Sequence, residues 1–428
     1  MRLPSIFGSS LCVSLCSVAL SGTAAAQGPI APQPHVSMSD AVRLAIERNQ
    51  TLSALRLTID ESKADEITAA LKPNPSFSLG ADGLTPFSPR QMNLHFLDNS
   101  LTYSSSLDYT FERGGKRLKR TTVAEDTTAV TAKNVLDSER QIRFQTEDAF
   151  VNALLAKSTL ELAQENLKSF SDVVDVNRQR LAAGDLAEGE FYKISLQKLQ
   201  FEQDVSAAQV ELVQAKALLR QLIGFETVPD DFEVDGDLEF APYTLNVEDL
   251  KRQALDNRPD LQAARAGVKL AQDTVALEQG NRARDLDGSI GYSHTGPDNT
   301  FGVGVSIDLP FHDRNQGNIA HSTIALRQAQ NTEAAARYTV LTDVVSAYAA
   351  FETNQKILTL YQSGYLDQAR QSLDITTYVY QHGAGTLLDL LDAERTYRAT
   401  ELSYREALAA YMTSIRQLSY AVGKQVTP

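Results

Sequence analysis

Two aspartates, Asp389 and Asp392, lie three residues apart in the segment YQHGAGTLLDLLDAERTY, which spans Tyr380–Tyr397. The segment begins with a Gly-Ala-Gly break and continues as a leucine-rich stretch typical of a helix, so both acids follow a sharp bend by about one turn. Such a pair could act in acid–base chemistry, bind a metal ion, or decorate a helix N-terminus, where the helix dipole favours negative charge.

The residues that would support catalysis or metal binding are missing around this pair. The six histidines are scattered over positions 35, 95, 294, 312, 321 and 382, and none forms a His-x-x-x-His pair. The two cysteines, Cys12 and Cys16, both fall within the first 26 residues. We therefore expect no catalytic site, no cofactor and no dedicated metal site, and the pair remains either a functional acidic feature or two solvated acids.

The composition restricts both the compartment and the partners. The chain of 428 residues has 40 basic and 54 acidic residues, a net charge of −14, which argues against nucleic acid as a partner. Residues 1–26 carry one charge, Arg2, then an apolar run and a final triple alanine, the order of a secretory signal peptide. No later stretch is long and apolar enough to span a membrane as a helix, so a membrane role would need strands.

The mature chain consists of two copies of one pattern. Segment Asp40–Arg56 aligns with Asp249–Arg265, and Gly184 and Gly224 align with Gly383 and Gly423 near the ends of the copies. Each copy has a first helix, predicted over residues 39–71 in the first copy, then aromatic-rich strands, a long helix, a glycine turn and a return helix. The domain prediction is 1–26 signal peptide, 27–38 linker, 39–224 first repeat, 225–246 acidic surface linker, 247–423 second repeat and 424–428 tail.

Long helical hairpins dominate each copy. Residues 116–181 contain no proline or glycine, which predicts a helix of about 100 Å. In the first copy, apolar residues recur at alternating spacings of three and four on both arms, except for Asn177 on the outgoing arm and Lys198 on the return arm, and this period predicts an antiparallel coiled-coil hairpin. In the second copy the return arm keeps the pattern, whereas the outgoing arm is less regular. The bends at Gly184 and Gly383 need a residue that tolerates left-handed backbone angles.

Four short segments alternate between apolar residues and small or polar residues: 76–83, 101–111, 289–296 and 301–311. The alternation predicts strands with one apolar face. Such strands could pack on a soluble core. Alternatively, four strands from each of three chains could close a twelve-stranded transmembrane barrel, because an open sheet cannot lie in lipid. We favour the barrel, which also accounts for the secretion signal and the oversized hairpins, and classify the fold as mainly helical α+β with internal duplication.

At this point the sequence resembles the TolC-like outer-membrane efflux ducts over nearly all of the mature chain. The residues that carry the resemblance are the paired helix starts at Ala45 and Ala254 and the segments LKPNPSFSLGADG, GDLAEGEFYKISLQ and GAGTLLDLLDAERTY. The resemblance implies a homotrimeric, passive duct in the outer membrane of a Gram-negative bacterium, with a helical barrel in the periplasm. It implies as partners outer-membrane lipid, a periplasmic adaptor and an inner-membrane pump of the RND type.

The resemblance also assigns candidate site residues. Asp389 and Asp392, with Glu190 in the first copy, would form acidic rings at the periplasmic entrance, and such rings favour cations. Gly385 stands where some relatives have an arginine that locks the entrance, so this lock is not expected here. The candidate contacts with the adaptor at the hairpin tips are Leu181, Gly184, Asp185, Leu186, Tyr380, Gly383, Gly385, Thr386 and Leu387.

The segment FERGGKRLKR at the strand-to-helix junction is similar to that of the heavy-metal, CzcC-type branch and favours metal cations as substrate. Its basic residues either form a collar at the membrane rim or mark the lineage only: Lys116, Arg117, Lys119 and Arg120. Drug efflux and type I secretion remain alternatives within the duct class. A periplasmic adaptor and a structural coiled-coil protein are alternatives from other classes, and we find no site for an enzyme.

Overall fold

The structure is a computed structural model and describes residues 35–83 and 101–427. The predicted signal peptide lies outside the described residues. The elements in chain order are β1 His35–Val36, α1 Met38–Arg48, α2 Gln50–Ala70, β2 Ser76–Asp82, β3 Thr102–Phe111, α3 Lys116–Ala183, α4 Glu188–Ile223, β4 Glu233–Val234, α5 Val247–Asn257, α6 Pro259–Asn281, β5 Leu286–Thr295, β6 Asp298–Ser306, α7 Gln316–Leu360, α8 Leu366–Gln381 and α9 Leu387–Val422. The chain is thus mainly helical and internally duplicated, as predicted.

The predicted long helix is present as α3, which runs without interruption for 68 residues. It packs against the return helix α4 through the predicted repeat, and Phe170, Val174, Ile194 and Phe201 form a buried cluster between the two arms. The rings of Phe170 and Phe201 stack with centroids 4.5 Å apart. Interlocking apolar side chains, rather than helix propensity alone, therefore hold this hairpin together.

The outgoing arm of the second hairpin is not one helix. A π-helical segment, Tyr361–Tyr365, separates α7 from α8, and Gly364 within it has φ 113°. Only glycine adopts such an angle without steric cost, so the presence of glycine at position 364 permits the break. The weaker heptad pattern of this arm is consistent with the interruption.

The first helix of each copy is also divided, where the sequence predicted one helix over residues 39–71. The break falls at Asn49, whose extended backbone ends α1 and whose side chain accepts the Leu52 N–H as the N-cap of α2. In the second copy, Arg258 and Pro259 make the matching break between α5 and α6. Asparagine is a preferred N-cap, and proline is favoured at the first helical position.

The four predicted strands form one antiparallel sheet in the order β2-β3-β5-β6. The last strand was predicted to reach Phe311 but ends at Ser306, and Pro310 within the missing part has no N–H to donate to a sheet. The adjoining helices lie side by side in the same order as the strands they follow or precede. Helix α3 packs against α2 and α6, and α6 packs against α7. Further along, α3 packs against α4 and α9, and α9 against α8.

The acidic linker between the copies is more than a surface segment. Its apolar residues alternate with its acids, and Val228, Phe232 and Val234 are buried in the core of the first copy. Leu238, Phe240 and Tyr243 then pack on the core of the second copy. The linker therefore ties the two copies together while its carboxylates face solvent. No helix in the described ranges is long and apolar enough to cross a membrane.

Candidate functional site

Two helical tips make up the first part of the candidate site. At the first tip, Gly184 has φ 82°, and the N–H of Asp185 donates to the carbonyl of Arg180 at 2.8 Å. At the second tip, Gly383 has φ 75°, and the N–H of Ala384 donates to Val379 at 3.0 Å. Both predicted bends are present, and both glycines adopt the left-handed conformation that the bends require.

Asp389 and Asp392 have different surroundings. Thr386 caps α9: its hydroxyl lies 2.6 Å from the Asp389 carboxylate and accepts the Asp389 N–H at 3.2 Å, and Asp389 in turn accepts the Thr386 N–H. This is a capping box, so Asp389 has a structural role at the start of the helix. Asp392 is exposed, and its side chain has no hydrogen bond within the described residues.

The matching position in the first copy, Glu190, is exposed near the start of α4. Its helix begins after Ala187, whose methyl side chain cannot accept a capping hydrogen bond. Among the candidate contact residues, Asp185, Gly383 and Thr386 are exposed and Leu186 is half-buried. Leu387 packs between the clusters at the two tips, so it joins the hairpins as well as lining their surface.

Tyr380 lies inside the tip rather than on a contact surface. Its ring is 6 % exposed, and its hydroxyl donates to Asn177 Oδ1 of α3 at 2.8 Å. Burial raises the pKa of this hydroxyl, so it remains a donor at neutral pH. Asn177, the polar exception in the coiled-coil pattern, thus links the two hairpins. Its position in the pattern was visible in the sequence, but its partner on another helix was not.

A long groove lies between α4 and α9 with α3 as its floor, and it encloses about 1290 Å³. Asp392 and the buried Glu394 line it together with many alanines and glutamines. Burial raises the pKa of Glu394, and the nearby Arg398 opposes this shift. Arg398 pairs with Asp204 of α4 and lies 4.3 Å above the Phe201 ring. Nothing in the sequence indicated this arrangement, because three separate helices build it.

The sheet presents a continuous apolar surface on one side. Phe77, Leu107, Ile290 and Val303 pair across the four strands in one row, and all four are exposed. On β6, Phe301, Val303 and Val305 are 79–86 % exposed. The opposite side carries small and polar residues, such as the row Ser78, Ser106, Gly291 and Gly302. An uncovered apolar surface of this extent marks a contact with lipid or protein.

The four basic residues at the junction of β3 and α3 are not equivalent. Lys116 pairs with Asp285 at 2.8 Å, and Arg120 pairs with Glu112 at 2.7 Å while donating to the carbonyls of Ala69 and Leu71. Lys119 packs beside Gly280. Of the four, Arg117 is exposed, whereas the other three are half-buried. Lys116 and Arg120 therefore brace the junction.

In residues 35–83 and 101–427, no three His, Cys, Asp or Glu side chains come together in a way that could hold a metal ion. The candidate acids at the tips are separate and exposed. Separate, exposed carboxylates act through the field of their charges and do not form a coordination shell.

Residues 41–225 and 250–424 match the family described as outer membrane efflux protein, once for each copy. The chain belongs to this family. Its duplicated architecture and long hairpins are those of the outer membrane efflux channels, and as one of these channels the protein is not an enzyme.

The relatives agree on this assignment. The chain is 25 % identical over 413 residues to the cobalt-zinc-cadmium resistance protein CzcC of Cupriavidus metallidurans, covering 95 % of this chain and 96 % of that one. It is 25 % identical over 297 residues to the cation efflux system protein CusC of Escherichia coli K12, covering 63 % of this chain and 64 % of that one. The open-state structure of the MtrE outer membrane channel of Neisseria gonorrhoeae superimposes with a TM-score of 0.74 at 20 % identity, covering 91 % of this chain and 89 % of that one.

Proposed function

We propose that three copies of this efflux channel form a passive duct through the outer membrane, which exports metal cations delivered by a periplasmic adaptor and an RND-type inner-membrane pump. The apolar face of the sheet carries this proposal, since each strand turns its apolar side chains the same way and the structure leaves them uncovered. That face fits the hydrocarbon of a bilayer, and the small and polar opposite face fits a water-filled lumen.

The two open edges of the sheet support assembly from several copies. Strands β2 and β6 are the edges, and the strand directions alternate across the sheet, so β6 of one copy can pair antiparallel with β2 of the next. Lipid does not tolerate an open edge with unpaired backbone groups. Three copies of four strands give twelve, which is enough to close a barrel, whereas four alone are too few.

The helices support the same arrangement. The outer members of the helical layer are α2 and α7 near the sheet and α4 and α8 near the tips. These helices carry exposed apolar side chains, including Leu196 and Val213 on α4 and Ile375 and Tyr378 on α8. A neighbouring copy would cover these residues and continue the helical layer around the duct.

The cation assignment rests on the tips and on the relatives. Symmetry would turn Asp392, Asp389 and Glu190 into rings of carboxylates at the periplasmic mouth, and such rings concentrate cations. CzcC and CusC are named for metal resistance and cation efflux, and CzcC matches nearly the full chain. Drugs, or proteins exported by type I secretion, remain the alternative substrates of the same duct.

The adaptor assignment rests on the tip surface and the groove. The tips expose Asp185, Gly383 and Thr386, and the groove between α4 and α9 is long and lined by small residues. Small side chains allow close approach of another helix. We therefore place the adaptor's contact at the tips, with Leu181, Gly184, Leu186 and Leu387 forming the supporting surface.

Single-channel recording in planar bilayers tests this function. The purified protein is compared with Asp392→Asn, Asp389→Asn and the double variant, and Glu226→Gln in the linker serves as an exposed-acid control. Reversal potentials in a salt gradient measure cation preference, and Co²⁺ and Zn²⁺ are then added on the periplasmic side. We expect cation preference to fall most in the double variant and more for Asp392 than for Asp389, whose carboxylate is engaged by Thr386.

Two results would contradict the proposal at different levels. A conducting channel with unchanged selectivity in the double variant would remove the acids from the ion path and leave the duct in place. A protein that inserts but never conducts, even when the Tyr380 link to Asn177 is removed, would contradict the duct itself.

A further inference from the structure

The four junctions between strands and helices lie at one level of the molecule. Leu286 of β5 pairs with Phe111 at the end of β3, and Ser306 at the end of β6 pairs with Asp287. Strand β2 starts at Ser76, opposite Asp108. Because every strand meets its helix at this same end of the sheet, residues just beyond the strands form a band around the rim.

Each junction contributes at least one exposed cation to this band. The exposed cations are Lys72 before β2, Arg113 and Arg117 after β3, Arg282 before β5 and Arg314 after β6. None of the five forms an ion pair with an acid in the described ranges. We call them the rim cations. They differ from Lys116, Arg120 and Arg284, which pair with Asp285, Glu112 and Asp313.

The surface beside the rim cations is apolar and exposed. Leu71, Phe111, Leu118, Leu309 and Phe311 lie at the same junctions and are 55–73 % exposed. Phe111, the last residue of β3, also belongs to the apolar face of the sheet. The strands themselves contain no lysine or arginine, so positive charge begins where the apolar face ends. Apolar area bordered by long cationic side chains is the arrangement found where a protein crosses from hydrocarbon to headgroups.

We propose that the rim cations bind the phosphate groups of anionic glycerophospholipids in the leaflet next to the helices and fix the depth of the channel in the membrane. The proposal rests on the proposed function, which places the sheet in the bilayer. Arginine suits this role because its planar guanidinium can donate two hydrogen bonds to one phosphate. Basic residues close to an anionic membrane surface are attracted individually, so the band acts as a sum of separate contacts.

Reconstituted protein and spin-labelled lipids test the proposal. The protein is placed in phosphatidylethanolamine vesicles with a minor fraction of phosphatidylglycerol, and the association of each labelled lipid with the protein surface is measured. The variant combines Lys72→Gln, Arg113→Gln, Arg117→Gln, Arg282→Gln and Arg314→Gln. A control combines glutamine at five exposed basic positions away from the rim: Lys168, Arg337, Lys356, Arg395 and Lys424.

We expect the native protein and the control to prefer phosphatidylglycerol by about fivefold, and the rim variant to lose this preference. Added salt should weaken the native preference, since exposed charges are screened. Inorganic phosphate at matched ionic strength should leave it unchanged, whereas displacement by phosphate would identify a free-anion site instead. Equal association of both lipids with the native protein would overturn the inference without recourse to any variant. Failure of the native protein to enter vesicles would instead overturn the proposed function beneath it.

Discussion

The two hairpins of the chain have the same order of elements, but the outgoing helix is continuous in the first and interrupted in the second. The first runs down a single helix of 68 residues and returns along α4. The second descends through α7, breaks at Tyr361–Tyr365 and continues as α8, whose only buried residue is Tyr380. The continuous hairpin is held along its length by interlocking side chains. The interrupted one depends on a few local contacts, so the tip of the second hairpin is the part most easily displaced.

The same contrast appears where each copy's first helix breaks. In the first copy, Asn49 donates to the carbonyl of Leu222 at 3.1 Å. In the second, the matching residue is Arg258, which is 3 % exposed, pairs with Asp260 and Asp343, and donates to the carbonyl of Ala421. Burial opposes the charge of Arg258, but the hydrogen bonds to its two acids outweigh it and raise its pKa. One copy thus uses a neutral cap where the other uses a buried ionic network.

The largest expected effect follows from removing that network. Arg258→Ala would leave Asp260 and Asp343 without their common partner, and we expect a loss of about 2–3 kcal/mol in the stability of the helical part, since both acids stay partly exposed to water. Asn49→Ala, the matched change in the first copy, should lose about 1 kcal/mol. Urea unfolding followed by circular dichroism measures both. Equal losses would contradict the contrast between the two joints.

The break in the second hairpin gives the next prediction. Gly364→Ala forces a side chain onto a backbone with φ 113°, and we expect a loss of about 1–2 kcal/mol. An added Cβ would meet no atom within 4 Å, so the loss reports backbone strain alone. Glu165→Ala at the matching point of α3 is the control and should change stability little. A stabilising effect of Gly364→Ala, measured by thermal unfolding, would show that the break is absent in solution.

The smallest effect concerns the link between the hairpins. Tyr380→Phe removes the donor to Asn177 and should lower stability by about 1 kcal/mol, while raising the open probability of the channel in planar bilayers. Tyr378→Phe is the matched control, because that ring is 62 % exposed and lies beside His382. An unchanged open probability in Tyr380→Phe would show that the tip does not depend on this bond.

The sequence predicted the parts of the fold that depend on local periodicity. The hairpins follow from apolar residues recurring every three to four positions, and the four strands follow from apolar residues at every second position. The bends follow from Gly184 and Gly383, and the structure confirms all of these elements. The division of the first helix at Asn49 was missed because an N-cap asparagine inside a helical pattern looks like a tolerated polar residue. The contacts of Asn177 with Tyr380 and of Arg258 with Asp343 could not be predicted, because each joins helices that are distant in sequence.

The central claim is that the sheet lies in the membrane with its small-residue face lining a pore. The two cysteines lie at positions 12 and 16, within the predicted signal peptide, so single cysteines on β6 can be labelled cleanly. Thiol labelling with a charged, water-soluble reagent would be measured at Thr300→Cys, Gly302→Cys and Gly304→Cys and at Phe301→Cys, Val303→Cys and Val305→Cys in reconstituted protein. The account predicts that the first three react and reduce the conductance, and that the second three are protected. Uniform reactivity along β6, or the opposite alternation, would contradict it.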